Sequence, residues 1–153
     1  MIIGVISDTH GLLRPEALEA LRGSDYIIHA GDIGDADILG KLTEIAPVTA
    51  VRGNVDGDAW AKKIPTTNVL EVGQFSIYIL HILAELDLNP GAAGFQVVVS
   101  GHSHVPKQET KNGVLYFNPG SAGPRRFTLP VTVGRLAIKN GKARGEIIEL
   151  QIP

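Results

Sequence analysis

The sequence predicts an α/β protein whose first half alternates strands with helices and whose second half is rich in β-strand. Three observations lead to this prediction. Apolar runs alternate with amphipathic segments up to Val51, two Asn-Gly pairs lie between strand-like runs further on, and 44% of the 153 residues are hydrophobic. Such alternation is typical of parallel βαβ units, and Asn-Gly pairs are typical of hairpins. A chain of this length favours a single domain over residues 1–153.

The first half is expected to contain three strands and two helices. The strands are Met1–Ile6, Tyr26–His29 and Val48–Val51. The first is a continuous apolar run, which predicts burial on both faces. Pro15 opens a helix that reaches Arg22, and a second helix, capped by Asp35 or Asp37, extends through Ile45. The three strands are therefore expected to be parallel, with right-handed crossovers.

The second half is expected to be built from hairpins and one further buried strand. Gly73-Gln74 forms a two-residue turn between Val69–Val72 and Phe75–Leu80. A buried strand is predicted at Gln96–Val99. Asn112-Gly113 and Asn140-Gly141 each lie between β-like runs, which is the strongest short hairpin signal in a sequence.

Composition and charge exclude several classes of function. A net charge of −2 without a basic stripe argues against a long nucleic acid partner. Cysteine is absent, so any metal must be bound by imidazole, carboxylate or amide groups. The longest apolar stretch, Phe75–Ala84, is interrupted by Ser76 and His81 and cannot span a bilayer. We expect a cytoplasmic protein that does not enter a membrane.

Seven candidate metal ligands stand at five points where strand-like runs end. They are Asp8, His10, Asp32, Asn54, His81, His102 and His104. The carboxyl ends of parallel strands meet at one edge of a sheet, so these groups are expected to converge. Asp8 with His10, and His102 with His104, are spaced i and i+2, and in an extended segment such side chains point the same way. Two carboxylates and two divalent ions would leave about two positive charges, which suits a phosphate ester.

The order of these motifs resembles that of the calcineurin-like metallophosphoesterases. The matching motifs are Asp8-x-His10, Gly31-Asp32, Gly53-Asn54-x-Asp56, a lone His81 and Gly101-His102-x-His104. Asn118-Pro-Gly-Ser121, followed by Pro124-Arg125, resembles the small bacterial and archaeal phosphodiesterase branch. The resemblance extends from residue 3 to about residue 126.

The resemblance implies a four-layer αββα sandwich, in which two mixed β-sheets are flanked by helices, and a binuclear metal centre. One metal would be bound by Asp8, His10, Asp32 and His104. The other would be bound by Asp32, Asn54, His81 and His102, with Asp32 as the bridge. A metal-bridging hydroxide would attack phosphorus in line. Manganese is the metal most expected, although zinc, iron, nickel or cobalt would also suit these ligands. Relatives often form dimers or tetramers.

The roles implied for individual residues leave alternatives open. Asp32 and Asn54 would be catalytic, and Asn54 with Arg125 would contact the substrate phosphate. Arg125 and Arg126 could instead be a solvated surface pair, and Arg14 and Arg52 are weaker candidates.

Several of these residues could instead have ordinary structural roles. Asp8 and Asp32 could cap helices, and His81 could be a buried structural histidine. We interpret His29 as structural, and Asp56 as a residue that binds backbone in its own turn.

Two positions depart from the pattern of the relatives. Many relatives carry a histidine where this chain has Val55, and that histidine protonates the leaving oxygen. Without it we expect a slow enzyme that prefers acidic leaving groups. Relatives usually have glycine after the lone histidine, whereas this chain has Ile82. A β-branched residue restricts the backbone, so either a weakly bound second metal or a different turn after His81 is expected.

The leading hypothesis is therefore a metal-dependent phosphodiesterase that acts on a small phosphate ester. A phosphomonoesterase is the nearest alternative, since the same metals serve both reactions. A non-catalytic scaffold of the same fold, like a eukaryotic retromer subunit, is a second alternative. A nuclease that acts on long nucleic acid is disfavoured by the charge.

Overall fold

The computed structural model describes residues 1–153 and contains ten strands and two α-helices. The elements of the first half are β1 (Ile2–Ile6), α1 (Pro15–Leu21), β2 (Tyr26–His29), α2 (Ala36–Thr43) and β3 (Val48–Ala50). Those of the second half are β4 (Thr67–Val72), β5 (Phe75–Leu80), β6 (Val97–Val99), β7 (Lys107–Lys111), β8 (Val114–Asn118), β9 (Thr132–Lys139) and β10 (Lys142–Glu149).

The strands form two mixed five-stranded sheets. The first sheet has the order β10-β9-β1-β2-β3, in which β1, β2 and β3 are parallel and β9 is antiparallel to β1. The second sheet has the order β4-β5-β6-β8-β7, in which β5, β6 and β8 are parallel. Both edge strands of the second sheet, β4 and β7, pair antiparallel with their neighbours.

The two sheets pack face to face over one apolar core. Ile3 and Val5 of β1 and Ile28 of β2 meet Ile77 of β5 and Phe117 of β8, and all five side chains are buried. Alternate residues of each strand point to opposite faces, so β1 and β2 also contribute to a core on the outer side of the first sheet. That outer core contains Ile6 and Ile27 together with residues of α1 and α2. The prediction that β1 is buried on both faces is confirmed.

The two-sheet sandwich is confirmed, and its α-helices lie on one side only. Both α1 and α2 cover the outer face of the first sheet. The outer face of the second sheet is covered in part by the connection from β5 to β6, which contains a single 3₁₀ turn at Leu83–Glu85. Neither α-helix has the length and apolar character needed to cross a lipid bilayer.

Local details agree closely with the sequence. Asp35 caps α2, and its carboxylate accepts a hydrogen bond from Asp37 N–H at 2.9 Å. The helix ends at Thr43, short of the predicted Ile45, whose side chain packs on the outer core from the following turn. The Asn112-Gly113 and Asn140-Gly141 hairpins are confirmed, and all four residues have positive φ, as such two-residue turns require.

The second half contains more than the predicted hairpins. The parallel pairs β5–β6 and β6–β8 alternate with the three hairpins, and the β9–β10 hairpin returns to the first sheet beside β1. Parallel neighbours leave no local turn signal, which is why the sequence pattern did not predict them.

Candidate metal centre

Every candidate ligand follows the carboxyl end of a parallel strand. Asp8 and His10 follow β1, Asp32 follows β2, and Asn54 follows β3. In the second sheet, His81 follows β5, and His102 and His104 follow β6. The two sets of strand ends meet at one edge of the sandwich, so residues up to 94 positions apart come into contact. The structure thus brings together the seven side chains that the sequence singled out.

The donor atoms form two groups. Asp8, His10 and His104 make up one group, and Asp32, His81 and His102 make up the other, with the donor atoms of each within 4.8 Å of one another. Asp32 Oδ2 lies between them, 3.1 Å from His81 Nε2 and 3.7 Å from His10 Nε2. At the exposed rim, His102 Nδ1 lies 3.2 Å from Asn54 Oδ1. This division matches the two ligand sets implied by the resemblance.

Each carboxylate has one oxygen bound by the protein and one directed at the cluster. Asp8 Oδ2 accepts hydrogen bonds from the Ser7 hydroxyl at 2.6 Å and from His102 N–H at 3.1 Å. Asp8 Oδ1 has no hydrogen-bond partner and lies 3.4 Å from His104 Nε2. Asp32 Oδ1 accepts from Val55 N–H at 3.0 Å, which leaves Oδ2 facing the histidines.

His81 is oriented as a ligand despite the bulky residue after it. Its Nδ1–H donates to the Ala30 carbonyl at 2.7 Å, so in the neutral ring the Nε2 lone pair faces the cluster. That Nε2 atom is buried and has no hydrogen-bond partner. Ile82 has φ −108° and ψ 110°, an extended conformation that any residue adopts. Glycine is therefore not required at position 82 for His81 to face the cluster.

The prediction that side chains at i and i+2 point the same way assumed extended backbone. The structure corrects this assumption, because most of the ligands do not lie on extended backbone. Asp8, His10, Asp32, His102 and His104 all have positive φ, between 46° and 73°. This left-handed conformation costs about 1–2 kcal/mol per residue outside glycine, and such strain concentrates at functional sites. The tight turns also explain why His102 and His104 face different groups although they are two residues apart.

Glycines allow the ligand loops to crowd together. A Cβ atom on Gly53 would collide with Asp32, and one on Gly101 would collide with the Ser7 hydroxyl. At Gly31, where φ is 103°, a Cβ atom would lie 2.6 Å from His81 Nδ1. These positions require close approach of backbone to a ligand, as the sequence suggested.

Burial and close contact shift the pKa values of the ionisable groups in the cluster. Burial raises the pKa of Asp8 above the usual range of a carboxyl group. Burial alone would raise the pKa of Asp32 as well, but His81 and the Val55 N–H lower it overall. Burial likewise opposes protonation of His81, yet Asp32, the Ala30 carbonyl and Asp8 raise its pKa. Buried carboxylates and unpaired imidazole nitrogens that face one another are costly unless a cation joins them.

The donor set fits divalent first-row metals. Imidazole, carboxylate and amide groups are their ordinary ligands, and second partners fix the orientation of Asp8, Asp32 and His81. Two of the buried atoms without hydrogen-bond partners, Asp8 Oδ1 and His81 Nε2, lie 3.8 Å apart. Each group has the size and composition to bind one ion.

A network that the sequence analysis did not foresee fixes the first ligand loop. The Thr9 hydroxyl donates to the Ile33 carbonyl at 2.8 Å and accepts from the fully buried His29 Nε2 at 3.0 Å. His29 Nδ1 in turn accepts from Gly31 N–H at 3.1 Å. The interpretation of His29 as structural agrees with these contacts, which join the Asp8 loop to the Asp32 loop.

Asp56 fixes the second and third ligand loops. Its buried carboxylate accepts hydrogen bonds from Ile33 N–H at 3.1 Å, Gly34 N–H at 3.1 Å and Gly53 N–H at 2.9 Å. The expected role in backbone binding is thus present, and it reaches beyond the local turn to the loop that carries Asp32.

The Asn118–Ser121 motif supports one ligand loop of each sheet. Asn118 Nδ2–H donates to the Gly101 carbonyl at 3.0 Å, and the Ser121 hydroxyl donates to the Asp8 carbonyl at 3.1 Å. The sequence marked this motif through the resemblance alone, without indicating that it supports ligand loops.

Of the two adjacent arginines, Arg126 is the one whose charge reaches the cluster. Burial is the main cause of the lowered pKa of His104, and the positive charge of Arg126 lowers it further. Arg125 is exposed and makes no hydrogen bond or ion pair with a candidate ligand. Arg14 Nη2 donates to the Gly123 carbonyl at 3.3 Å, which ties the loop after His10 to the loop that carries the arginines.

Comparison with known sequences gives one consistent result. The calcineurin-like phosphoesterase superfamily domain matches residues 1–141 of this chain. A probable metallophosphoesterase of Methanothermobacter thermautotrophicus is 36% identical over 168 residues, which cover 100% of this chain and 95% of that protein.

Solved structures show the same fold. A structure described as a novel archaeal phosphodiesterase superposes with a TM-score of 0.78 at 26% identity, covering 97% of this chain and 100% of that chain. Vps29 of Chaetomium thermophilum also gives a TM-score of 0.78, at 18% identity, covering 98% of this chain and 95% of its own. At that identity the likeness to Vps29 concerns the fold alone.

Proposed function

This chain belongs to the calcineurin-like phosphoesterase superfamily, and from that premise we propose that it is a binuclear phosphodiesterase. It would hydrolyse a small phosphodiester with two divalent ions, of which manganese is the first to test. The phosphodiesterases among its relatives support the reaction class.

One observation carries the proposal. Asp32 Oδ2 lies between a histidine of each group, at 3.1 Å from His81 Nε2 and 3.7 Å from His10 Nε2. Asp8 Oδ1 is placed in a similar way, at 3.4 Å from His104 Nε2 and 3.8 Å from His81 Nε2. Carboxylate oxygens that lie between the two groups suit a pair of ions. A scaffold that works through surface contacts would have no use for five ligand residues with positive φ, or for the candidate ligand atoms Asp8 Oδ1 and His81 Nε2 buried without hydrogen-bond partners.

The side chains of the site have distinct tasks in hydrolysis. When bound, the two ions would lower the pKa of water and stabilise the charge that develops on the phosphate. Asn54 Oδ1 is engaged by His102, so its Nδ2 group is free to donate to a phosphate oxygen. Arg126, and Arg125 beside it, add positive charge on the side of His104 and would attract the anion. Water that has given up a proton to the solvent would form the new P–O bond in line, the opposite P–O bond would break, and the leaving oxygen would depart as an anion.

The leaving oxygen receives little help from the protein. Val55 occupies the position next to Asn54, is 54% exposed and has no proton to donate. Ester groups that leave readily as anions would therefore be cleaved fastest. Nitrophenyl diesters should react much faster than alkyl diesters, and similar rates for the two would contradict this part of the proposal.

Metal titration combined with a diester assay tests the proposal. Chelator-treated protein is titrated with Mn²⁺ in a calorimeter, and release of nitrophenolate from bis(nitrophenyl) phosphate is followed. We expect two ions per chain and metal-dependent turnover. Asp32→Asn should abolish both the binding of two ions and the turnover. Asp37→Asn, which removes an exposed carboxylate from α2, should keep the ion binding and the turnover.

Other results of the same experiment identify the alternatives. Binding of two ions without turnover of any nitrophenyl ester would favour a non-catalytic scaffold. Faster cleavage of nitrophenyl phosphate than of the diester would indicate a phosphomonoesterase. A single ion per chain would contradict the binuclear centre.

A further inference from the structure

The outer face of the second sheet is only partly covered. The connection from β5 to β6 packs Leu86, Leu88 and Phe95 over Tyr78 and Val98. This connection contains one 3₁₀ turn and no α-helix, and it reaches the start of β8, where Val114 is buried. Beyond Val114, Tyr116 and Asn118 of β8 are partly exposed, and β7 is exposed throughout.

A cavity of about 700 Å³ occupies this open region. The 3₁₀ turn, through Leu83 and Ala84, forms one wall, and the edge strand β7 forms the other. Tyr116 of β8 lies between the walls. At one end the cavity is bounded by His102 and by the loop that carries it. We call this cavity the outer groove.

The outer groove is continuous with the candidate metal centre. His102 belongs to the second donor group and also lines the groove. Asn118, whose side chain supports the Gly101 carbonyl, lines it as well. A phosphate placed at His102 would thus have one of its ester groups directed towards this cavity.

The two walls of the groove differ in chemistry. Leu83 of the 3₁₀ turn gives one apolar wall, and Tyr116 lies on the floor. The β7 wall carries Lys107, opposite Asn118 at the metal end, and Lys111, whose Nζ lies 5.7 Å from the centre of the Tyr116 ring. Both lysines lie near Glu109, at 3.8 Å and 3.6 Å from its carboxylate, so this wall has a net positive charge.

We propose that the outer groove binds the retained ester group of the substrate, and that this group is nucleotide-like, with a planar aromatic ring and a second anionic group. The inference rests on the proposed function. The ring would pack against Leu83 and Tyr116, and the anion would bind at Lys107 and Lys111 on the β7 wall. The volume lies within the range of about 300–1,000 Å³ that is usual for small-molecule sites and exceeds what a methyl or ethyl ester would fill.

Two esters with the same leaving group test the groove directly. The nitrophenyl ester of thymidine monophosphate and methyl nitrophenyl phosphate differ only in the group that stays on phosphorus. For the Mn²⁺-loaded protein we expect a KM about ten-fold lower for the thymidine ester, because stacking of a base on an aromatic side chain contributes at this scale. Tyr116→Leu, and Ala84→Trp, which narrows the groove, should bring the two KM values together.

A second measurement does not depend on the metal. Thymidine monophosphate is titrated into chelator-treated protein, with inorganic phosphate as the reference ligand. The nucleotide should bind, and the double variant Lys107→Ala, Lys111→Ala should weaken its binding by about ten-fold. Lys142→Ala, at an exposed position of β10 on the other sheet, is the matched control and should leave binding unchanged.

The outcomes separate the two proposals. Metal-dependent hydrolysis with equal KM values and no nucleotide binding would overturn the groove proposal and leave the phosphodiesterase standing. Nucleotide binding in the groove without hydrolysis would overturn the phosphodiesterase instead. If the chain is a dimer that Ala84→Trp dissociates, the groove is filled by a second copy and the proposal is wrong.

Discussion

His29 should make the protein lose stability as the pH falls. The side chain is fully buried, and burial lowers its pKa from 6.5 to about 3, although the negative charge of Asp56 opposes the shift. The unfolded chain therefore binds a proton at His29 below pH 6.5, whereas the folded chain does not until about pH 3. Protons taken up by the unfolded state alone favour unfolding, so the stability declines throughout this interval.

The size of the effect follows from the two pKa values. One pKa unit corresponds to about 1.36 kcal/mol, so lowering the pH from about 7.5 to about 5 should reduce the free energy of unfolding by about 2 kcal/mol through His29. For a chain of this length, that loss lowers the Tm by about 4–8 °C.

His29→Gln isolates this contribution. Glutamine can donate an N–H to Thr9 as His29 Nε2 does, but it does not titrate. The variant should be less stable than the natural chain near neutral pH by about 1–3 kcal/mol, because the Gly31 N–H loses its acceptor. Between about pH 7.5 and about pH 5, it should lose about 2 kcal/mol less than the natural chain does.

Urea unfolding of the chelator-treated proteins, followed by far-UV circular dichroism, measures both quantities. Subtracting the free energy of unfolding of the variant from that of the natural chain at each pH removes the contribution of the other histidines. Thr9→Val is the control, since it removes the same hydrogen bond and leaves His29 in place. It should lower stability equally at every pH. If His29→Gln showed the full pH dependence of the natural chain, His29 would not be the buried neutral group described above.

Three further predictions concern the ligand loops. Gly101→Ala would place a methyl group 2.8 Å from Asp8 Oδ2 and should weaken Mn²⁺ binding by about ten-fold or more in calorimetry, whereas Gly57→Ala, which meets nothing within 4 Å, should not. Asp56→Asn should lower the free energy of unfolding by about 3 kcal/mol in urea titrations, because a buried carboxylate that accepts three N–H groups is disrupted. Val55→His should raise kcat/KM for alkyl diesters by about ten-fold or more, with little change for nitrophenyl diesters; equal gains for both would contradict a proton-donating role.

The strands, turns and candidate ligands were predictable because their signals are local. Apolar runs marked β1 and β2, and the Asn-Gly pairs marked two hairpins whose positive φ only such residues adopt readily. The donors stand directly after strands, where loops of an α/β fold meet at one edge. The order of the motifs, compared with a known family, supplied the division into two groups.

Other features depend on contacts between distant residues and have no local signal. The sequence of β9 and β10 fits either sheet, and only the pairing with β1 places them in the first. Three features of the site arise from loops that other loops hold in place. They are the left-handed backbone at the ligands, the Asp32 oxygen that lies between two histidines, and the positive charge of Arg126 near His104.

The sequence by itself determined six of the strands, two hairpin turns and the side chains that offer metal-binding atoms, since apolar runs, turn residues and residue chemistry are properties of short segments. Tertiary structure alone decided how those atoms face one another and where the surface stays open. Asp8 lies against His102, which is 94 positions away, and a short connection after β5 leaves the outer groove uncovered. Both depend on the packing of whole sheets, in which each pairing is fixed by the burial of many side chains at once.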